Sequence, residues 1–322
     1  MQWTALALCP WLLPLGGCAV TPASAYPRPE LDLPAAVAAR YALPGPVQEV
    51  VAAPLAAEHR TLRWERGLLR CGDETVDFRV VRPLGAGPHP FVVLVPILAG
   101  GEPVLALVAE QLAEGGRAVA FARRAGAAMR PPQRSPEMEL LFRRSVVHNR
   151  IVLAWARRQT WVDPDRLGLV GISMGGLLGA AVLAVEPDLR AAVLCLAGAD
   201  TPDLMVQSRE NRVIEWRRWR RAEDGLDGGE LERELRHWLV SDPMRLAPYV
   251  ATEKVLLLDT AFDEVVPARN QALLWEALGR PRRCTFALGH YTAALALPFL
   301  LARIDAFLTE RFAVGSAVPP VP

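Results

Sequence analysis

The sequence predicts an α/β protein with a mostly parallel sheet, an N-terminal antiparallel hairpin and a helical lid insertion. Three observations lead to this fold class. From residue 61 to 312, short continuous apolar runs alternate with helical patterns, which is typical of a parallel sheet covered on both faces. Two strand-like segments at the start of this region are joined by turn residues. Residues 198–254 contain two amphipathic helical patterns in place of a single crossover helix.

The hairpin comes first, with strands at 62–70 and 75–82 joined by the turn Cys71-Gly72-Asp73-Glu74. Further strands are predicted at 91–95, 118–122, 167–170, 191–197, 255–259 and 283–288. Helices are predicted at 104–114, 139–159, 175–185, 268–278 and 291–312. We therefore expect one domain over residues 61–312, with a sheet that is mixed because it starts with the hairpin.

The insertion at about residues 201–250 interrupts this alternation. Its first half places Val213, Trp216 and Trp219 on one helical face, and its second half does the same for Leu231, Leu235, Trp238 and Leu239. Two such helices after a strand's carboxyl end would lie over the crevice where open α/β sheets bind ligands, so the pattern predicts a lid. The first helix carries six arginines between Arg209 and Arg221. We expect them on a solvated face, with contact to anionic lipid or an acidic substrate as the alternative.

Residues 171–175, Gly-Ile-Ser-Met-Gly, match the pattern G-x-S-x-G and lie between a predicted strand and a predicted helix. Glycines on both sides permit a sharp turn that raises the Ser173 hydroxyl above the sheet. The same turn places the Met174 N–H at a helix N-terminus, where it can donate to a developing oxyanion. These features predict a nucleophile at Ser173.

A serine nucleophile needs a base that accepts its proton. Two histidines follow Ser173 in the chain. His290 comes directly after a predicted strand, in a loop that contains glycine, whereas His237 lies in the predicted lid beside a tryptophan. The sequence therefore favours His290 as the base.

The base in turn needs an acid that fixes its tautomer. Asp263 lies in the loop after the predicted strand 255–259, from which a carboxylate can reach a histidine on the next strand. Asp259, at the end of that strand, and Asp200, after the preceding strand, are the alternatives. Asp263 is the favoured acid.

The order Ser173, Asp263, His290, each after a successive strand, resembles the α/β-hydrolase fold over residues 61–312. The stretches 162–166 (VDPDR) and 263–267 (DEVVP) are most similar to the dienelactone hydrolase and acetyl xylan esterase branch of that superfamily. The resemblance implies a serine hydrolase of the carboxylesterase type that forms an acyl-enzyme. A peptidase or acyltransferase using the same triad is an alternative, as is an inactive binding protein of the cell envelope.

Many members of this superfamily have His-Gly after the strand equivalent to residues 91–95, but this chain has Pro96-Ile97-Leu98 there. The second oxyanion donor is a backbone N–H, which Ile97 or Leu98 can supply and Pro96 cannot. No metal is expected, because the sequence has neither an H-x-x-E-H motif nor paired C-x-x-C motifs. No cofactor is expected either, because the Gly-rich stretches are too sparse for a dinucleotide or phosphate loop.

The N-terminal residues 1–18 resemble a secretory signal, with an apolar run too short to span a bilayer. The run ends in a lipobox-like Leu15-Gly16-Gly17-Cys18, which predicts lipidation of Cys18. Cleavage after Ala23-Ser24-Ala25 and an N-terminal helix packed on the domain are the alternatives. Residues 19–60 are rich in Ala and Pro and predict a tether, and residues 313–322 a tail. We thus expect an exported bacterial protein, periplasmic or membrane-anchored through lipid.

The charge balance of 36 basic and 35 acidic residues argues against nucleic acid as a partner. The aliphatic residues near the predicted site favour a small-molecule ester with an apolar group as the substrate. Beyond the N-terminal segment, the cysteines are Cys71, Cys195 and Cys284. Buried free thiols are expected, with a Cys71–Cys284 disulfide as the alternative.

Overall fold

The computed structural model describes residues 18–25, 31–55, 60–98, 100, 102–123 and 129–314, and the predicted fold class is confirmed. The strands are β1 (Cys18–Thr21), β2 (Val47–Pro54), β3 (Leu62–Cys71), β4 (Glu74–Pro83), β5 (His89–Val95), β6 (Ala118–Ala122), β7 (Val162–Ile172), β8 (Ala191–Cys195), β9 (Val255–Thr260) and β10 (Arg282–Phe286). Within the described residues they form one ten-stranded sheet in the order β1-β10-β9-β8-β7-β5-β6-β4-β3-β2. The six strands from β10 to β6 in this order are parallel, and the hairpin β3–β4 pairs antiparallel, as the sequence predicts.

Helices cover both faces of the sheet. They are α1 (Ala35–Arg40), α2 (Glu102–Glu114), α3 (Ser135–Ala156), α4 (Met174–Val185), α5 (Thr201–Gln207), α6 (Asn211–Asp224), α7 (Gly228–Trp238), α8 (Pro243–Leu246), α9 (Ala268–Ala277) and α10 (Leu297–Ala313). Short 3₁₀ turns occupy Ala247–Tyr249, Thr252–Lys254 and Thr292–Ala296. Helices α3 and α4 pack on one face, and α2 and α10 on the other.

The central strand β5 shows why its sequence is a continuous apolar run. Phe91, Val93 and Val95 belong to the core on the α3–α4 face. Val92 and Leu94 belong to the core on the α2–α10 face. Successive side chains point to opposite faces of a strand, so a strand covered on both sides has no place for a polar residue. This arrangement holds the carboxyl ends of the parallel strands in fixed positions.

The predicted tether over residues 19–60 is wrong for the described part of that segment. Strand β1 pairs with β10 at one edge of the sheet, and β2 pairs with β3 at the other. Tyr41, between them, is fully buried. Edge strands tolerate the Ala- and Pro-rich composition of this segment, because one side of such a strand needs no ladder partner. Their polar and small residues are largely exposed, so the apolar alternation that would reveal a strand is missing.

Cys18 forms a disulfide with Cys284, which corrects two predictions. Its sulfur is already bonded, so it is not available for the thioether of a lipid anchor. Cys284 is bonded to Cys18 and not to Cys71, and both Cys71 and Cys195 are buried free thiols. The rest of the predicted signal segment, residues 1–17, and the end of the predicted tail, residues 315–322, lie outside the described residues.

The insertion contains four α-helices, α5 to α8, among the described residues, where the sequence predicted two. Val213, Trp216, Leu231, Leu235 and Leu239 are buried as predicted, but Trp238 is exposed. The prediction that the arginines of the first lid helix lie on a solvated face is wrong for one of them. Arg220 is only 2% exposed and forms ion pairs with Asp224 and Glu234. The two nearby carboxylates offset the free-energy cost of burying this guanidinium. The periodicity of the sequence could not reveal these partners.

One apolar segment of the described residues, Thr292–Ala313, is long enough to cross a membrane by length and composition alone. Its side chains Ile304, Phe307 and Leu308 are buried in the core on the α2–α10 face. Packing against the sheet therefore accounts for its apolar composition.

Candidate active site

Ser173 occupies the turn between β7 and α4, with φ of 56° and ψ of −123°. A positive φ is unfavourable for a residue with a side chain and costs about 1–3 kcal/mol. Backbone hydrogen bonds hold the turn on both sides of the strained residue. The Ser173 N–H donates to the Cys195 carbonyl at 2.8 Å, and the Ser173 carbonyl accepts from the Gly176 N–H at 2.8 Å. The conformation projects the hydroxyl away from the sheet, as the motif predicts.

The two glycines of the motif are required by close approach of the backbone. A Cβ on Gly175 would lie 2.0 Å from the Val95 carbonyl oxygen. A Cβ on Gly171 would lie 2.3 Å from the Gly175 carbonyl oxygen. Neither distance is compatible with a side chain, because the nearest atoms belong to backbone that cannot move aside. The sharp turn at Ser173 therefore depends on these glycines.

The structure brings Ser173, His290 and Asp263 together from three separate loops. His290 Nε2 lies 3.0 Å from Ser173 Oγ, and His290 Nδ1 lies 2.8 Å from Asp263 Oδ2. The imidazole thus stands between the hydroxyl and the carboxylate. With the Nδ1 proton donated to Asp263, Nε2 presents a lone pair to the serine hydroxyl. This arrangement can withdraw a proton from Ser173 as the hydroxyl attacks.

Asp263 is buried and its orientation is fixed by its own loop. Oδ1 accepts from the N–H groups of Val265 and Val266, at 2.8 and 2.7 Å. Oδ2 accepts from the Thr260 hydroxyl at 3.1 Å as well as from His290. These bonds occupy lone pairs of both oxygens, so the carboxylate can approach the imidazole in only one way.

The two alternative acids have other partners. Asp259 is fully buried on β9 and pairs with Arg283 at 2.5 Å. Burial raises the pKa of Asp259 to about 7, although Arg283 opposes the shift. Asp200 precedes α5 and pairs with Arg236 at 2.8 Å. The alternative base, His237, is exposed and contacts the ring of Trp238 instead of the serine.

Of the three predicted oxyanion donors, Met174 and Leu98 line the pocket of Ser173. Met174 is the first residue of α4, so its N–H belongs to a helix N-terminus, where negative charge is favoured. Ile97 is not among the described residues that line this pocket, and its carbonyl accepts from the Gly100 N–H at 3.0 Å. Of the two candidates for the second donor, Leu98 therefore has the better position.

A pocket of about 540 Å³, open solvent included, leads to Ser173. Its described lining is mostly apolar and comes from the sheet loops, α3, α4 and the insertion. The apolar lining residues are Leu98, Met129, Phe142, Met174, Leu177, Leu178, Leu204, Met205, Val213, Pro243, Val265 and Val266. The polar ones are Ser173, Thr201, Ser208, Glu210 and Ser241. Such a lining favours a small substrate with an apolar group beside the reacting carbonyl.

Ser241, which lines the pocket, belongs to a buried hydrogen-bond network behind it. The Ser241 hydroxyl donates to Glu139 at 2.9 Å and is also 2.9 Å from the Tyr41 hydroxyl. Burial raises the pKa of Glu139 and also that of Tyr41. This network could not be predicted from the sequence, because Tyr41 and Ser241 are 200 positions apart and neither belongs to a catalytic motif.

The described residues contain no group of three or more His, Cys, Asp and Glu side chains placed to hold a metal ion.

Comparison with known protein families gives one match to this chain that covers the candidate site. The model of the prolyl oligopeptidase family matches residues 150–290, which include all three residues of the Ser173–His290–Asp263 arrangement. This match spans less than half of the chain.

Solved structures share the architecture at low sequence identity. The acetyl xylan esterase from Paenibacillus sp. R4 superposes with a TM-score of 0.66 at 17% identity, over 86% of this chain and 91% of that one. Acetyl xylan esterase 1 from Thermoanaerobacterium sp. JW/SL YS485 gives 0.56 at 17% identity, over 84% and 99%. Oligopeptidase B from Leishmania major gives 0.59 at 17% identity, over 79% of this chain but 37% of that one. Similarity at this level concerns the fold.

Proposed function

We propose that this chain, which has the α/β-hydrolase fold and belongs to that superfamily, is a carboxylesterase that cleaves small esters through an acyl-enzyme on Ser173. The observation that carries the proposal is the continuous arrangement Ser173 Oγ, His290 and Asp263, with both hydrogen-bond distances at or below 3.0 Å. A strained serine beside an oriented imidazole is a costly local structure that nucleophilic catalysis explains.

In the first step, Ser173 Oγ attacks the ester carbonyl while its proton moves to His290 Nε2. Asp263 holds the Nδ1 proton and stabilises the imidazolium that forms. The N–H groups of Met174 and Leu98 are the proposed donors to the oxyanion. His290 then protonates the leaving oxygen, the alcohol departs, and the acyl group remains on Ser173.

In the second step, water replaces the alcohol. His290 Nε2 removes a proton from the water as it attacks the acyl-enzyme carbonyl, and the same donors hold the second oxyanion. Collapse of this intermediate releases the carboxylic acid and returns the proton to Ser173 Oγ. The net reaction is hydrolysis of one ester bond, with the enzyme regenerated.

Two observations favour an ester over a peptide as substrate. The pocket is small and mostly apolar, which suits a short acyl or alcohol group. Structural neighbours over nearly the whole domain include proteins named as esterases.

The test is labelling of the purified protein with a fluorophosphonate, together with hydrolysis of p-nitrophenyl acetate, butyrate and octanoate. We expect labelling and turnover that both disappear in Ser173→Ala and fall strongly in His290→Ala. The chain-length profile reports the size of the acyl pocket. A folded protein that is neither labelled nor active would refute the proposal.

A peptidase is the second candidate, and the match of residues 150–290 to the prolyl oligopeptidase family favours it. Fluorophosphonate labelling does not separate the two functions, because both need an activated serine. A matched pair of substrates does. We expect p-nitrophenyl butyrate to be cleaved and the corresponding p-nitroanilides and short peptides to remain intact, whereas preferential peptide cleavage would support the peptidase.

We further propose that the protein is exported and works outside the cytoplasm. The Cys18–Cys284 disulfide supports this, since structural disulfides persist mainly in oxidising compartments. Cell fractionation followed by peptide mapping without reductant tests it. The expected result is a periplasmic protein containing the linked peptides, and a cytoplasmic protein with both thiols free would contradict it.

A further inference from the structure

Glu210 is the one residue with a formal charge among the described residues that line the pocket of Ser173. The other polar lining residues are hydroxyl-bearing Ser and Thr, and no described lysine or arginine lines the pocket. A lone carboxylate in an otherwise apolar site is unusual, because charge raises the cost of keeping water out. Its presence needs an explanation.

The carboxylate is held in place by the start of α6. Glu210 is the N-cap residue, and its Oε2 accepts from the Val213 N–H at 3.0 Å. Its own N–H donates to the Ser208 hydroxyl at 3.2 Å. Capping needs only one oxygen, and a Ser, Thr, Asp or Asn would serve as well or better. Capping alone therefore does not explain a longer acidic side chain at the pocket.

Within the described part of the chain, Glu210 forms no ion pair. The arginines closest in sequence are engaged elsewhere. Arg209 pairs with Glu264 at 2.8 Å, and Arg217 donates to the carbonyls of Met205 and Ser208. The α6 N-terminus offsets part of the negative charge, so the remaining attraction for a cation is moderate.

Glu210 lies beside the loop that carries Asp263, because the N–H of Arg209 donates to the Glu264 carbonyl at 2.9 Å. His290, which Asp263 contacts, must protonate the leaving oxygen, so the alcohol departs past the imidazole. Tyr291 follows His290, and the centroids of the two rings are 5.4 Å apart. Burial raises the pKa of Tyr291, and the charges of Glu210 and Asp263 add to this shift.

Two exposed aromatic rings belong to the loops that carry His290 and Asp263. Tyr291 is 67% exposed and Phe262 is 68% exposed. The backbone N–H of Phe262 donates to the Leu288 carbonyl, which holds the backbone of Phe262 next to the His290 loop. The faces of aromatic rings attract cations, especially ammonium groups with bulky apolar substituents.

We propose that Glu210, with Tyr291 and Phe262 at the exit, makes the site select esters whose leaving alcohol carries an alkylammonium group. The proposal rests on the proposed esterase function and names the substrate class of that same site. The alkyl substituents suit the apolar lining and the rings, and the positive charge suits the free edge of the carboxylate.

The test uses two esters that differ in one atom at the centre of the end group. Butyrylcholine carries a quaternary nitrogen where 3,3-dimethylbutyl butyrate carries a carbon. For each protein we measure the ratio of kcat/KM for the charged ester to that for the neutral ester, by acid release at constant pH. Different intrinsic reactivities of the two esters cancel when ratios are compared between variants.

The informative variant is Glu210→Gln, because its amide oxygen can still accept from the Val213 N–H while the charge is removed. We expect its ratio to fall by about twofold to fivefold, the size of a partly solvated ion pair. The matched control is Glu215→Gln, which removes an exposed charge on the same helix outside the pocket and should leave the ratio unchanged. The advantage of the charged ester in the parent protein should also shrink at high salt.

The outcomes separate this proposal from the proposed function. If the neutral ester is hydrolysed and Glu210→Gln leaves the ratio unchanged, or lowers it no more than Glu215→Gln, the role of Glu210 is refuted and the esterase stands. If Ser173 is labelled by a fluorophosphonate but neither ester is cleaved, the esterase proposal fails and this one falls with it. A drop in both rates for Glu210→Gln at a constant ratio would indicate a purely structural role and overturn the proposal.

Discussion

The loops that carry Ser173, Asp263 and His290 and the insertion that walls the pocket are held together in different ways. The loops are fixed by main-chain contacts, such as the bond from the Ser173 N–H to Cys195 and the two N–H groups that hold Asp263. The insertion is fixed by side chains, both the buried apolar ones such as Trp216 and Leu235 and several ion pairs. Arg220 joins α6 to α7 through Glu234, and Arg236 joins α7 to Asp200 at the start of α5.

Because of this difference, we expect the loops to determine the reaction rate and the insertion to determine which substrates are preferred. A main-chain contact is the same for every amino acid, so the reacting groups keep their geometry unless a residue with a special backbone requirement changes. A wall built on side-chain pairs can change its shape one residue at a time. We therefore expect substitutions in the loops to reduce the rate of every reaction, and substitutions in the insertion to alter stability and substrate preference.

The largest expected effect is that of Asp263→Asn. The amide cannot hold the Nδ1–H tautomer of His290, so kcat/KM for any ester should fall by about 10³–10⁴. Hydrolysis of p-nitrophenyl butyrate measures it. The matched control is Asp259→Asn, on the preceding strand, where the carboxylate contacts Arg283 and not His290. An equal loss in both variants would break the assignment of Asp263 to the reaction.

Arg220→Met tests the insertion. The change leaves Glu234 without its partner at a nearly buried site, and loss of one member of a buried pair costs about 3–5 kcal/mol. We expect a Tm lower by about 10 °C, since each kcal/mol corresponds to roughly 2–4 °C in a domain of this size. Labelling of Ser173 by a small fluorophosphonate should persist below the Tm. If labelling disappears in the folded variant, the two regions are not independent.

Cys18→Ser measures how far the edge strand β1 supports the loop of His290, because β1 pairs with β10 just before that loop. We expect a loss of about 2–4 kcal/mol, the usual contribution of a disulfide, with little change in kcat. Thermal melts with and without reductant give the comparison. The Tm of the parent should drop on reduction to that of Cys18→Ser, and a variant whose Tm still responds to reductant would contradict the assigned bond.

The smallest effect concerns pH. Burial raises the pKa of Asp259 to about 7, whereas an aspartate in the unfolded chain titrates at ~4, so the folded state binds a proton that the unfolded state releases in this window. Stability from this group therefore falls as pH rises from about 4 to 7. The Tm of the parent minus the Tm of Asp259→Asn should be larger at pH 5 than at pH 8, by about 2–6 °C. A constant difference would show that Arg283 keeps the carboxylate ionised throughout.

The parallel core and the three side chains of the candidate site could be predicted from the sequence because both have local sequence patterns. The run Phe91 to Val95 in β5 is apolar at every position, and the glycines on both sides of Ser173 form a five-residue motif, although the contact that requires Gly175 comes from the distant Val95 carbonyl. His290 and Asp263 were found from their places after successive strands. The structure brings those three side chains together at hydrogen-bond distances.

The edge strands of the sheet and the hydrogen-bond network of Ser241 have no such local sequence pattern. β1 is four residues long and mostly exposed, and β2 has one buried residue in eight, so neither shows the alternation that identifies a strand. Partners that lie far apart along the chain, such as Tyr41 with Ser241, depend on the completed fold. Arg220 was misjudged for the same reason, because Glu234 lies on the next helix.

The pairing of β1 with β10 also determines when this edge of the sheet can form during synthesis of the chain. The first described strand to leave the ribosome has as its neighbour the last one, and the bonded cysteines are 266 positions apart. At about 5–20 residues per second, the wait between the two is roughly 13 to 53 s. Through that interval the amino-terminal strand has no partner, and an unpaired edge is a template for association with other chains. A prematurely terminated chain that lacks β10 has no strand with which β1 can pair. Pairing of β1 at this edge therefore requires that synthesis has passed β10.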